Sequence, residues 1–376
     1  AMRLVSFAMQ RRRGMEGDGE GESRKSTGSE HNDVGDDDDD DEEEADEEVH
    51  FGAIMDDNEH ICDLTASLPR QWQPLDSIAF LQRGADALRR ADEAMSERAN
   101  LIPLSQVRLL APVTNPGKVI VVENVIVGGD KGADDEKVGQ QHLERSEERD
   151  RDSESEESGE EGNDSSSASR PDSVRGADED DDGWKSTQVM FFTKYISMTL
   201  GGASYPPMNE EDKFYANGQI GLVIGSTCRR VAEDRAMESV TAITIVQDFA
   251  PKDWLTNESK WLNSKSYDCP VVTGPWMIDL ESIGDIENVN LKTFVNERLI
   301  EEGMVASLKF SPSYLISYIS RFIVLDPGDL VLIGSFARTD GVDDEPVQVH
   351  VGDKITCVSD QIGELFCFVA DERAGM

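Results

Sequence analysis

Two segments of this 376-residue chain place polar side chains next to apolar runs. Asn217 and Gln219 stand two residues apart just before the apolar run 220–224, and Asp248 directly follows a predicted strand at 240–247. Alternate residues of a strand lie on one face about 6.5–7 Å apart, so the two amide groups should point the same way. Their oxygens could contact a cation without bringing charge, whereas Asp248 brings a carboxylate. Whether the chain performs metal chemistry depends on that difference.

The elements that must position these residues are mostly strands. Short apolar or β-branched runs bounded by Gly, Pro and polar turns predict strands at 2–7, 49–55, 60–64, 118–127, 189–194, 220–224, 240–247, 276–278, 291–295, 330–333, 354–358 and 364–369. Helical spacing of apolar residues predicts helices at 77–99 and 312–324. The fold class is therefore α+β and mostly β, with a small N-terminal α/β region at 1–113 and a larger domain at 114–370.

Most of the negative charge lies in two segments. Residues 10–50 contain 18 acidic and 5 basic residues, and residues 130–183 contain 21 and 7, within a formal net charge of -41. Both segments are poor in apolar residues and cannot bury enough surface to offset chain entropy, which predicts disordered acidic inserts at 10–50 and 130–187. They are solvated inserts or, alternatively, segments that bind a basic protein partner or are targets of an acid-directed kinase.

Composition also disfavours several classes of function. Phosphate backbones need clustered Lys and Arg, so we expect no nucleic-acid binding. The sequence contains no run of about 18 apolar residues, so we expect no transmembrane helix. Residues 2–13 lack the apolar core of a signal peptide. The five cysteines are scattered without metal spacing, which favours reduced thiols inside the cell. We expect a cytoplasmic location, with a mitochondrial one as the alternative.

Motifs outside the two inserts resemble those of the fumarylacetoacetate hydrolase family. They are residues 2–7, 61–64, 107–113, 115–118, 214–225, 245–254, 267–268, 274–276, 295–296, 315–320, 325–329, 352–353 and 362–363. The resemblance implies a mixed β-roll, usually dimeric, that binds Mg2+ or a similar divalent ion such as Mn2+. It also implies chemistry on 2-oxo, β-diketo or acylpyruvate-type acids, by hydrolysis or decarboxylation at a carbon–carbon bond or by isomerisation.

The resemblance places a Glu-x-Glu in the first segment, where this chain has Asn217 and Gln219. The third metal position is Asp248, which is retained. The negative ligands therefore fall from three to one, and we expect the affinity for Mg2+ or Mn2+ to fall by orders of magnitude, because hard cations prefer anionic oxygens. Glu211 would share the face of Asn217 in a straight strand, but about 20 Å away, so it could compensate only through a sharp bend.

The family's acid/base pair, a His with a Glu three residues on, is also altered. Gly129 takes the His position, and His142, which lies in the second insert, is the nearby histidine. His142 is a solvated side chain or, if the insert folds onto the site, a candidate catalytic base. Lys265 matches a family lysine near the metal and substrate and is the second catalytic candidate.

Three further polar residues match substrate-binding positions of the family. Lys194 matches a frequently present lysine, Lys252 stands where an Arg is common, and Ser335 lies in a changed Thr-Gly-Thr-Pro motif. A lysine can bind a carboxylate as a point charge but lacks the two-pronged grip of arginine.

These substitutions favour one hypothesis and leave two others. The first is a pseudoenzyme, a homodimer with little or no metal-dependent catalysis, which serves as a structural unit or binds a small 2-oxo acid or a partner protein. The second is an active hydrolase or decarboxylase of acylpyruvate or oxaloacetate-type acids with a degenerate site. The third is that part of 124–187 is translated intron, which would hide the true lid but would not restore Glu at 217 and 219.

Overall fold

The computed structural model of the chain describes residues 2–9, 48–73, 75–123, 189–194, 207–208, 214–251, 271–339 and 347–371. The strands within these residues are β1 (Arg3–Met9), β2 (Val49–Ile54), β3 (His60–Asp63), β4 (Leu101–Pro103), β5 (Val107–Leu110), β6 (Val119–Glu123), β7 (Met190–Lys194), β8 (Pro207–Met208), β9 (Phe214–Ile224), β10 (Val240–Pro251), β11 (Val272–Asp279), β12 (Asn290–Val295), β13 (Arg298–Met304), β14 (Leu330–Ser335), β15 (Ala337–Arg338), β16 (Gln348–Val349), β17 (Lys354–Ser359), β18 (Gly363–Phe368) and β19 (Ala370–Asp371). The helices are α1 (Leu64–Ser67), α2 (Ser77–Leu81), α3 (Gly84–Ser96), α4 (Leu280–Ile283) and α5 (Pro312–Ile319).

One large mixed sheet carries most of these strands. Its hydrogen-bonded order is β4-β3-β2-β1-β11-β10-β9-β14-β6-β7, with β16 also paired to β9 and β5 to β1. The pairing is antiparallel except between β14 and β6. A second sheet has the order β15-β13-β12-β17-β18, and β19 pairs with β8. The mostly β class and the mixed β-roll are confirmed. The acidic inserts lie outside the described residues, apart from residues 48–50.

The central strands are apolar on both faces because both faces are covered. In β10, Ile243, Ile245 and Phe249 pack into a core shared with strands of the second sheet and with α5. Ala242 and Val246, which alternate with them, pack into another core with the N-terminal strands and helices. A strand buried on both sides reads as a continuous apolar run, which is why 240–247 was recognisable from sequence.

The N-terminal strands are part of the same large sheet as the C-terminal ones. Strand β1 pairs with β2 on one side and with β11 on the other. The predicted strands 49–55 and 60–64 correspond to β2 and β3, which are antiparallel neighbours with register pairs such as Ile54 and Ile61. The proposed boundary between an N-terminal region and a C-terminal domain at residue 113 stays a prediction.

The predicted helix 77–99 is two helices in the structure. Asp76 caps α2 by accepting a hydrogen bond from the Ala79 N–H, and α2 ends before Gln82. Gly84, the first residue of α3, adopts a φ of +54°, a left-handed conformation that interrupts the helical path between α2 and α3. The apolar spacing continues across the break, so periodicity alone does not reveal it.

The second predicted helix, 312–324, ends earlier than expected. Helix α5 stops at Ile319, where the Ser320 hydroxyl accepts from the Val231 N–H and donates to the Ser317 carbonyl. Just beyond it, Leu325 forms an isolated antiparallel bridge with Cys228. Tertiary hydrogen bonds therefore end the helix within an apolar run. No helix in the described part of the chain is both long and apolar enough to cross a membrane.

Candidate functional site

Strands β9 and β10 hold the three residues at the predicted metal positions. Their antiparallel register is continuous from Ala242 to Pro251 and sets Asp248 directly opposite Asn217, and Val246 opposite Gln219. Directly opposed residues of an antiparallel pair share a face, and alternate residues of one strand do so as well. Asn217, Gln219 and Asp248 therefore lie together on one face of the sheet.

Strand β14 adds Ser335 to the same face. Its register sets Ser335 opposite Gln219, after an irregularity that begins beyond Leu332. Within that irregularity Gly334 has a φ of +111°, and its N–H donates to the Gln219 side-chain oxygen at 3.2 Å. Gln219 is buried and Ser335 is half-buried. Ser335, a predicted substrate-binding residue, therefore lies beside Gln219, a predicted metal position. The Gln219 side-chain oxygen already accepts a hydrogen bond from the protein itself.

Strand β7 supplies a buried cation to this cluster. The Lys194 Nζ donates a hydrogen bond to the Asp248 carboxylate and another to the Phe249 carbonyl oxygen at 2.9 Å. The Lys194 and Asp248 side chains are each only 1% exposed, so the charges are removed from water. This ion pair therefore joins two opposite charges that are both buried within the site.

The contact between Lys194 and Asp248 requires a strongly curved sheet. Four steps between strands separate β7 from β10 in the sheet order. At about 4.8 Å a step, a flat sheet would place them about 19 Å apart, beyond the reach of a lysine side chain. The sheet is therefore rolled, and this brings Lys194, a predicted substrate-binding residue, into contact with Asp248, a predicted metal ligand.

The opposite face of the same strands contains a carboxylate that sequence reasoning missed. The Gly218 N–H donates to the Glu301 carboxylate at 3.0 Å, and Glu301 is only 2% exposed. Glu302, its neighbour in sequence, is exposed and pairs with Lys292 at 2.9 Å. Strand alternation indicates that one of the two glutamates is buried, but not which one, because β13 changes register between its pairs with Thr293 and Phe294.

The surroundings of Gly218 explain why no side chain fits there. A Cβ at this position would lie 2.1 Å from the Thr293 hydroxyl oxygen and 3.0 Å from the Cys357 sulfur. The Cys357 thiol is fully buried, and burial raises its pKa to about 12, against weaker opposing hydrogen bonds from Thr293 and Gln247. This face is therefore packed core with an un-ionised thiol, and not a second reactive pocket.

Three candidates from the sequence lie outside the described residues. They are the catalytic candidates Lys265 and His142 and the substrate-binding candidate Lys252. Glu211, considered as a replacement ligand, lies outside them too. Their roles stay predictions.

The described residues do not fit a divalent cation. Within the described ranges, no group of three His, Cys, Asp or Glu side chains could hold a metal ion. Asp248 is already neutralised by Lys194, and the Gln219 oxygen already accepts from Gly334. An incoming ion would meet an ammonium group and two uncharged amides where Mg2+ or Mn2+ prefers anionic oxygens.

The rolled mixed sheet and its central polar cluster define a β-roll protein of a hydrolase-type fold. The family model described as fumarylacetoacetate (FAA) hydrolase C-terminal matches residues 165–370. The chain belongs to the fumarylacetoacetate hydrolase family, as its motifs indicated.

Several known proteins resemble the chain over different lengths. The mitochondrial oxaloacetate tautomerase Fahd2a of Rattus norvegicus is 26% identical over 323 residues, 84% of this chain and 86% of that protein. The 4-hydroxyphenylacetate degradation bifunctional isomerase/decarboxylase of Salmonella dublin is 42% identical over 133 residues, 35% of this chain and only 31% of that protein. The second similarity is higher but spans about a third of each chain.

Solved structures show the same fold. Maleylpyruvate hydrolase from Sphingobium sp. SYK-6, in complex with manganese (II) and pyruvate, aligns with a TM-score of 0.58 and 21% identity, covering 86% of this chain and 96% of that one. The fumarylacetoacetate hydrolase of Exiguobacterium antarcticum aligns with a TM-score of 0.60 and 19% identity, covering 99% and 100%. At these identities the similarity establishes the fold.

Proposed function

We propose that this chain is a pseudoenzyme of its family, which binds a small 2-oxo acid with little or no metal-dependent catalysis. The observation that carries the proposal is the Lys194–Asp248 ion pair, beside amides at the two other metal positions. Without a divalent ion, nothing among the described residues supplies the double positive charge that would stabilise an enolate. What is left is a set of hydrogen-bonding groups suited to binding.

The groups that would contact such a ligand are those that are not fully buried. Asn217 and Ser335 are half-buried on the shared face, so their amide and hydroxyl can reach a bound molecule. Lys252 and Lys265 are the further candidates for gripping its carboxylate. The choice of ligand class rests on similarity, because the Sphingobium hydrolase is described with pyruvate and the rat relative as an oxaloacetate tautomerase.

Calorimetry on the wild-type chain tests the proposal. We expect pyruvate or oxaloacetate to bind without added metal, and Mg2+ or Mn2+ not to bind in the micromolar range. Asn217→Ala and Ser335→Ala should each weaken ligand binding by about 0.5–1.5 kcal/mol, the typical net value of one hydrogen bond. Micromolar Mn2+ binding that is lost in Asp248→Asn would refute the proposal.

The second candidate is an active hydrolase or decarboxylase, favoured by the enzyme relatives that align over most of the chain. It would use Asp248 with amide ligands, Lys265, and His142 from the insert. It predicts turnover of oxaloacetate or an acylpyruvate that collapses in Asp248→Ala. Turnover that is unchanged in this variant would indicate a contaminant or another site.

The remaining expectations are part of the proposal as well. They are a homodimer, a basic protein partner for the acidic inserts, and a cytoplasmic location. The rat relative is named as mitochondrial, which supports mitochondria as the alternative compartment. Fluorescent tagging of the full chain distinguishes the two compartments.

A further inference from the structure

The charge of the site is balanced without any ion. Lys194 contributes one positive charge and Asp248 one negative charge, and both are buried. Asn217 and Gln219 contribute none. A divalent cation added to this cluster would leave two uncompensated positive charges in a region shielded from water, where unpaired charge is costly.

The same sum of charges accounts for amides at both 217 and 219, where the family motif has glutamates. If positions 217 and 219 were both Glu, as the family motif implies, the described cluster would have three negative charges and one positive charge. A divalent ion would neutralise that surplus. Amides in place of both Glu remove two negative charges, which equals in size the charge of one divalent ion. The cluster is therefore neutral with two glutamates and a bound divalent ion, and it is equally neutral with two amides and no ion.

We infer that the Lys194 ammonium is the built-in cation of this site, which holds the Asp248 carboxylate in place of a metal and, with amides at 217 and 219, opposes the binding of a divalent ion. The inference rests on the proposed metal-free function and adds the residue that enforces it. Lys194 is suited to this role because two of its donors are satisfied, one by the Asp248 carboxylate and one by the Phe249 carbonyl. An anchored ammonium repels an incoming cation, whereas the same carboxylate alone would attract one.

The test is Mn2+ calorimetry on four forms of the full chain. The wild type and the neutral control Asn217→Gln/Gln219→Asn should bind no Mn2+. Asn217→Glu/Gln219→Glu should bind one ion, and its melting temperature should rise when Mn2+ is added. Adding Lys194→Met to that variant should tighten Mn2+ binding at least tenfold, because the repelling charge is gone.

The outcomes separate this inference from the proposed function. Equal Mn2+ affinity with and without Lys194, or no binding by the form that lacks Lys194, would overturn the role of the lysine and leave the metal-free proposal standing. Micromolar Mn2+ binding by the wild type, lost in Asp248→Asn, would overturn both.

Amine labelling of the native chain tests the same role of Lys194 without any substitution. The native chain is treated with a water-soluble amine reagent, and the modified lysines are identified by mass spectrometry. Lys194 should resist modification both with and without Mn2+, whereas the exposed Lys309 should react. Modification of Lys194 in the native chain, or its exposure by Mn2+, would contradict an ammonium anchored to Asp248.

Discussion

Breaking the Lys194–Asp248 ion pair from either side should strongly destabilise the fold. Two opposite unit charges about 4 Å apart attract by about 4 kcal/mol at an effective dielectric constant near 20. Removing one partner also leaves the other charge buried and unpaired, and such changes typically cost about 3–5 kcal/mol. With each side chain only 1% exposed, water cannot replace the lost partner. We therefore expect Asp248→Asn and Lys194→Met each to lose about 3–5 kcal/mol of unfolding free energy.

The double variant Lys194→Met/Asp248→Asn should be more stable than the sum of the single losses indicates. It buries no charge, and replacement of a buried ion pair by neutral groups is often close to neutral in stability. We expect a coupling energy of at least about 2 kcal/mol in the cycle.

Urea unfolding followed by tryptophan fluorescence measures the four free energies. The matched control is Lys292→Met, which breaks the exposed pair with Glu302, whose side chains are 41% and 45% exposed. Its effect should be far smaller, because solvent screens an exposed pair. If the double variant lost as much unfolding free energy as Lys194→Met and Asp248→Asn lose together, the reasoning would be refuted. Such additivity would mean that neither buried charge stabilises the other.

Three further predictions concern other parts of the structure. Backbone hydrogen bonding from Glu59 lowers the pKa of Asp57 to about 2, so its stabilising contribution should be present above pH 4 and lost as the pH falls through 2. The stability difference between wild type and Asp57→Asn should therefore shrink steadily as the pH is lowered from 4 to below 2. Burial raises the pKa of Cys357 to about 12, so iodoacetamide at pH 8 should label it only after unfolding, as mass spectrometry of native and denatured chain can show. Gly218→Ala should cost about 1–3 kcal/mol in urea unfolding, because its Cβ would lie 2.1 Å from the Thr293 oxygen; an unchanged midpoint would show that the strands can separate there.

Local pattern determined the elements and which residues share a face. The i, i+2 spacing placed Asn217 and Gln219 together, and the apolar run before Asp248 predicted the strand that carries it. The structure extends these strands to Phe214–Ile224 and Val240–Pro251, because polar residues within them are paired across the sheet. The family resemblance, carried by short motifs, was confirmed by the match over residues 165–370.

The tertiary structure decided which groups contact the face that carries Asn217, Gln219 and Asp248. Lys194 and Asp248 are 54 residues apart in sequence, and Gln219 and Gly334 are 115 apart. Periodicity describes a strand and its two faces, but it contains no information on how far a sheet curls or which register its partners adopt. The sequence by itself therefore determined that two carboxylates had been replaced by amides. Only the rolled sheet decided that a buried ammonium neutralises the carboxylate that remains.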